Sequence, residues 1–260
     1  MSLRIASLVP SVTELLADLG LIPWLVARTG FCIHPRDGLA AVPKVGGTKD
    51  VNLAKLRRLA PSHVVVNVDE NERPTVDALR AFVPNVIVTH PCGPQDNFAL
   101  YRQMADIFGE LPEVRSRAEA LCAALQQALD TVVPLPPRNV LYCIWREPWM
   151  TVARDTYVSR MLALLGWQTL PALDGGPSGA ARYPAFDWRD DWLGSVDEVL
   201  LSSEPYRFGP AHVEEVKARL AAEGRRAAVR LVDGEMLSWY GSRAIEGVRY
   251  LQRLAREPAG

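Results

Sequence analysis

PEVRSRAEALCAALQQALDTVV, residues 112–133, is the stretch that decides how the rest of the chain is read. It has no Gly, its only Pro stands first, and Ala, Leu, Glu, Gln and Arg dominate it, all good helix formers. Val114, Ala118, Leu121, Cys122, Leu125, Leu129 and Val132 recur with the spacing of one apolar helical face. Pro112 suits a first turn, while Pro134, Pro136 and Pro137 forbid continuation. Roughly twenty residues at about 1.5 Å each make a rod about 30 Å long, the width of a small domain. Two readings are open: a crossover helix inside one domain, or a strut (112–134) between an α/β lobe at 1–111 and another at 135–260.

Working outward toward the N-terminus, short β runs are expected at 4–9, 25–29, 63–68 and 85–89. Helices are expected at 12–20, 53–59, 72–82 and 95–108. Ser11 and Glu14 match a capping box for the first of these helices. HVVVNV, residues 63–68, does not alternate apolar with polar residues and reads as a strand buried on both faces. Toward the C-terminus, strands are expected at 139–145, 168–170, 199–203 and 228–232. Helices are expected at 157–165, 212–222 and 245–253, with a short helix or turn at 195–199. A Gly/Pro-rich loop at 174–188 is long enough to suggest function or mobility, and 233–240 reads as a loop. Strands alternating with helices give an α/β fold with parallel sheets in both halves.

The halves echo one another. HVVVNVDENERPTVDALR and EVLLSSEPYRFGPAHVEEVK each run from a buried strand through an acidic, Pro-containing loop into an amphipathic helix. Ligands of open parallel sheets sit beyond the carboxyl ends of the strands, so two such lobes facing each other are expected to form a cleft at those ends.

Composition narrows the function. At 48% hydrophobic and 23% charged residues the chain is that of a soluble globular protein. A net charge of −1 offers no electrostatic case for nucleic acid or for an anionic membrane. No apolar run approaches the roughly 20 residues of a membrane span. MSLRIASLVPS has one Arg and no long apolar core, unlike a signal peptide. The chain as written is expected to be cytoplasmic, unless an export signal belongs to it outside these residues.

Chemistry-bearing motifs are sparse. There is no GxSxG nucleophile elbow, no GxGxxG and no GxxxxGK[ST], so no enzymatic constellation stands out. Cys122 and Cys143 read as small core residues. Cys32 and His34 in one loop, with His90 and Cys92 in another, would offer two thiolates and two imidazoles to a metal such as zinc if the loops converged, although neither spacing is usual for structural zinc.

Aromatic residues crowd the loops after the strands: Phe31, Trp145, Trp149, Tyr183, Phe186, Trp188, Trp192, Tyr206, Phe208, Trp239 and Tyr240. Cleft walls that stack on a flat or bulky ligand would use them; packing of the loops onto their lobes is the alternative.

RIASLVPSVTELLADLGL, FCIHP, PKVGGTKDVNLAKLRRLAPSHVVVN, ENERPTVDALR, IWREPWMTV, DTYVSRMLALLGW, LLSSEPYRF and LVDGEMLSWYG resemble the helical-backbone substrate-binding proteins of ABC importers, the class that carries vitamin B12, haem and ferric siderophores. The resemblance runs from first strand to last helix and is strongest to the cobalamin-binding group. It implies two Rossmann-like lobes joined by one long helix, a non-enzymatic role, and a small-molecule metal-chelate ligand, such as cobalamin or a ferric chelate, between the lobes. It implies no resident cofactor, a periplasmic location, and a monomer that docks on an ABC transporter permease through one acidic residue per lobe. The echo puts those acids at Glu72, with Glu70 as substitute, and at Glu204. Ligand walls are expected at Phe31, Trp145, Trp149, Tyr183, Trp239 and Tyr240, with Asn67 and Arg146 as polar contacts. Asn67 stands where the vitamin B12 binders carry Trp, so that wall is missing unless Phe31 or Trp145 replaces it. An intracellular sensor or chaperone for the same ligand, and an α/β enzyme or metal-handling protein using Cys32, His34, His90 and Cys92, are the other readings.

Overall fold

A computed structural model describes residues 2–257. Its chain falls into two compact units, the first comprising residues up to Pro91, Gln95–Ala124 and Tyr240–Arg243. The second comprises Cys92–Pro94, Leu125–Trp239 and the residues from Ala244 onward.

The first unit holds β1 (Ile5–Ser7), α1 (Pro10–Asp18), β2 (Leu25–Arg28), α2 (Arg36–Leu39), α3 (Leu53–Arg58), β3 (His63–Asn67), α4 (Arg73–Arg80), β4 (Asn85–Thr89) and α5 (Asp96–Phe108). Its strands form a parallel sheet in the order β2-β1-β3-β4. Ala6, Val64 and Val66 on the central strands pack with Leu56, Val76 and Leu79 from α3 and α4. Burial on both faces is why Val64, Val65 and Val66 follow one another without alternating polar residues.

α6 (Val114–Asp130) is the long helix, and the boundary between the units falls within it, between Ala124 and Leu125. Val114, Ala118, Leu125 and Ala128 are buried, with Leu121, Cys122 and Leu129 half-buried beside them. Its 17 residues give a rod of about 25 Å. The helix is not the chain's sole passage between units, because Cys92–Pro94 and Tyr240–Arg243 each group with the opposite unit from their sequence neighbours.

The second unit holds β5 (Arg138–Cys143), α7 (Tyr157–Ala163), β6 (Trp167–Thr169), β7 (Glu198–Ser202), α8 (Pro210–Ala222), β8 (Ala228–Val232), α9 (Gly234–Ser238) and α10 (Arg243–Arg256), the last from Ala244. Its parallel sheet runs β6-β5-β7-β8, the same winding as the first. The echoed stretches occupy matching places, β3 with α4 and β7 with α8. In both sheets the strand order reverses between the two central strands, β1 and β3 or β5 and β7, the place where open α/β sheets hold ligands.

Three local expectations change. Ser11 does not cap α1: the helix begins at Pro10, with Val9 as an N-cap that makes no side-chain bond. Pro10 is pre-set for the first turn, and the Glu14 carboxylate instead takes a two-pronged bond from Arg243, at 2.7 and 2.6 Å. Residues 233–240 are not a plain loop, since Asp233 accepts from the Met236 amide and starts α9. The turn expected at 195–199 lies earlier, as a 3-10 helix at Asp191–Ser195. No helix among the described residues is long and apolar enough to cross a membrane.

Candidate ligand-binding loops

In the first unit the loop after β2 presents Phe31, which is 62% exposed. The Arg28 side chain organises it, donating to the carbonyls of Leu39, Thr29 and Cys32 at 3.2, 3.3 and 3.0 Å. The Cys32 thiol turns inward, 3.1 Å from Thr29 Oγ1 and 3.8 Å from the Ser7 carbonyl. Phe31 and Ile33 on either side turn outward. Gly46 closes the base of the loop, its carbonyl accepting from the Gly30 amide at 2.7 Å. Gly46 has φ +103°, and a Cβ there would stand 2.4 Å from the Asp50 carbonyl, so only glycine fits.

Burial raises the pKa of Cys32, against the hydrogen bonds from Thr13 and Thr29. Its thiolate is therefore scarce at pH 8, and alkylation with N-ethylmaleimide should leave Cys32 unmodified until denaturant opens the unit. Peptide mass mapping that finds it labelled within minutes in the native protein would contradict this burial.

Asn67, expected as a ligand contact, is buried and occupied by backbone. Its Oδ1 accepts from the amides of Asp69 and Glu70, at 2.8 and 3.3 Å, and its Nδ2 donates to the Thr89 carbonyl at 3.0 Å. This is an Asx turn that reverses the chain after β3. Asn71 completes it, taking the Asn67 amide at 2.8 Å and donating to Thr48 O and Leu8 O at 2.8 and 3.3 Å. Asn71 thus ties the β1, β3 and Gly46–Thr48 loops together, a role the sequence reading did not assign.

Of the acids in this loop, Glu72 is exposed at the N-cap of α4. Glu70 is half-buried and accepts from the Tyr240 hydroxyl at 2.6 Å. Burial, then the charge of Glu70, lifts the Tyr240 pKa well above the ordinary tyrosine value, so this proton stays on the phenol. Asp69 lies 3.4 Å from His90.

In the second unit Trp145, the second residue after β5, is 41% exposed. A tight loop holds it: Ile144 N donates to Met150 O at 3.0 Å and Met150 N to Trp145 O at 3.1 Å. The Arg146 guanidinium meets Glu215 at 3.1 Å and Glu147 at 3.7 Å, and Glu215 also receives Arg219 at 3.0 Å.

Trp149, expected beside Trp145 as a wall, is core instead, only 8% exposed. It stacks on Phe208 (centroids 5.6 Å, planes 17° apart) and stands edge-on to Trp188 at 5.0 Å. Tyr183 is half-buried in the long 174–188 loop, and that loop is strapped down. The buried Arg182 donates to Gly176 O and Asp155 O at 2.8 and 3.3 Å, and lies 3.4 Å from the Asp155 carboxylate and 3.7 Å from Cys92 Sγ. Burial pushes the Asp155 pKa up, but the backbone amides of Gly175 and Gly176 and the charge of Arg182 bring it below the usual value.

Trp239 and Glu204 occupy one another. Glu204 Oε1 accepts from Trp239 Nε1 at 2.7 Å and from Ser238 Oγ at 2.8 Å. Burial raises the Glu204 pKa despite both donors, so the residue expected as the second docking acid is engaged within its own unit. Tyr240 is likewise buried.

The four-ligand alternative is not formed. Among the described residues no three His, Cys, Asp or Glu side chains gather as a metal set. Cys32 is turned inward, and Cys92 lies beside Arg182.

No curated protein sequence matches the chain. Among solved structures it is similar to the periplasmic vitamin B12 binding protein BtuF of Vibrio cholerae, with TM-score 0.77, 18% identity, and 98% of each chain covered. It is similar also to the periplasmic heme binding protein HutB of Vibrio cholerae, with TM-score 0.76, 22% identity, and 98% of this chain and 99% of that one covered. A periplasmic heme binding protein from Pseudomonas aeruginosa gives TM-score 0.76 at 20% identity, over 100% of this chain and 95% of that one. At these identities the likeness is one of fold. Residues 5–181, more than half the sequence, match the family model described as periplasmic binding protein, and the chain belongs to that family.

Proposed function

We propose that the chain is the substrate-binding component of an ABC importer for a large metal-chelate ligand, cobalamin in preference to haem or a ferric siderophore. The observation that carries this reading is the pair of exposed aromatic side chains, Phe31 and Trp145, each set on a rigid loop at the carboxyl end of its unit's sheet. Exposed large aromatics held in fixed positions suit stacking on a bulky, partly planar molecule.

Charge favours cobalamin over haem. Arg146 is already paired with Glu215, and Glu70, Glu72 and Glu204 add negative charge to the same ends of the sheets. Haem brings carboxylates that would need cations left uncompensated, whereas the rim of cobalamin is made of neutral amides. Glu72 is the acid best exposed for docking on a permease, since Glu70 and Glu204 are engaged within their own units. An ion pair at such a rim sets orientation and encounter rate more than affinity. The periplasmic face of a membrane is the compartment that fits this role.

Titration of tryptophan fluorescence with cyanocobalamin, haemin and ferric desferrioxamine tests the reading. Saturable quenching is expected with cyanocobalamin, tighter than with the other two. Glu72→Ala should leave that affinity unchanged and weaken permease association. Tighter binding of haemin would overturn the charge reasoning, and no saturable change with any of the three would overturn the function.

A further inference from the structure

The exposed Trp145 does not stand alone. Its ring meets Tyr206 edge-on, with centroids 5.7 Å apart and planes at 75°. Tyr206 comes from the loop after β7, and its amide donates to the Ile144 carbonyl at 3.2 Å. It therefore bridges the two loops on either side of the point where the strand order of the second sheet reverses. Phe208 backs it at 4.7 Å and is itself stacked on the buried Trp149.

The Tyr206 hydroxyl is fixed from the other side by His212, 3.2 Å from Nε2. His212 Nδ1 accepts from the Gly209 amide at 2.9 Å. A neutral imidazole whose Nδ1 accepts must carry its proton on Nε2, so His212 donates to Tyr206. The Tyr206 side chain is thus held at its ring by Trp145 and Phe208 and at its hydroxyl by His212.

We propose that Tyr206 is the positioning residue of the Trp145 loop: with its ring against Trp145 and its hydroxyl held by His212, it keeps the exposed Trp145 in its binding orientation. This rests on the reading of Trp145 as a ligand wall, and it adds that ligand affinity depends on a residue outside the expected contact set. Preorganised contacts of this kind lower the ordering cost of binding.

Two measurements separate the inference from the reading it rests on. The first needs no ligand. In protein labelled with 5-fluorotryptophan, the Trp145 resonance, assigned by its loss in Trp145→Phe, should shift or broaden in Tyr206→Phe; an unmoved resonance overturns the proposal. The second is a mutant cycle with cyanocobalamin as probe. Tyr206→Phe is expected to lower affinity about fivefold in the wild-type background, as loss of a neutral hydrogen bond does, and to add nothing in a Trp145→Ala background. Equal losses in both backgrounds would overturn it. If the wild-type protein binds none of the three chelates, the proposed function falls, and the fluorine spectrum alone decides whether Tyr206 sets Trp145.

Discussion

Trp145→Ala is expected to weaken cyanocobalamin binding about thirtyfold or more while leaving the melting temperature within about 2 °C of wild type. Truncating a central aromatic anchor at a binding surface costs on the order of 2 kcal/mol or more. The side chain contributes little to the fold because 41% of it faces solvent, and the bonds that close its loop run through backbone atoms of Ile144, Trp145, Met150 and Tyr206. Trp149, four residues on, is the control. It lies in a core cluster with Trp188, Phe208, Leu141 and Val216. Trp149→Ala should cost about 3–5 kcal/mol of stability, as large-to-small changes of buried aromatics do. Calorimetric titration and thermal unfolding of the two variants should therefore give opposite patterns, affinity lost in one and stability lost in the other. Unchanged binding in Trp145→Ala would remove the second unit's wall.

A large effect on stability is also expected from Glu198→Gln. Glu198 on β7 is fully buried and lies between two arginines, 2.7 Å from Arg138 and 2.5 Å from Arg230. Both guanidinium groups also face the ring of the buried Trp167, at 5.4 and 5.6 Å. Removing the one anion leaves two cations over one indole, with Arg230 only 11% exposed. Breaking a buried pair from one side costs about 3–5 kcal/mol. The partial exposure of Arg138, at 41%, lets one charge recover water and places the expectation near the lower bound. Urea unfolding followed by far-UV circular dichroism should show the loss, and it should persist at high salt because the pair is shielded from screening ions. A change below about 0.5 kcal/mol would mean the arginines are stable without Glu198.

Much of the fold was legible because it depends on patterns of apolar residues. The face of α6 and the buried runs HVVVN and EVLLS each follow from burial, and burial is written into residue type and period. The echo between halves was readable for the same reason and corresponds to two sheets of one winding.

The loops were harder, because nothing in a loop's composition says which way a side chain turns. Trp145 and Trp149 look alike in IWREPWM, yet the tight turn between them sends one outward and one into the core. Asn67 looked like a polar contact but spends both ends of its amide on the turn after β3. Glu204 looked like a docking acid, but Ser238 and Trp239, more than thirty residues away, close on it. The 174–188 loop looked mobile by its Gly and Pro content, whereas the buried Arg182 fixes it to Asp155 and Gly176. Each of these depends on a partner distant in sequence, which local pattern cannot show. Tyr206 was visible only as one aromatic among several; its bonds to Ile144 and His212 single it out.

Isothermal titration of the wild-type chain with cyanocobalamin tests the central claim most directly. A single saturable transition at one ligand per chain, with a negative heat-capacity change from burial of apolar surface, is the predicted result. Absence of any saturable heat at ligand concentrations up to the millimolar range would contradict it.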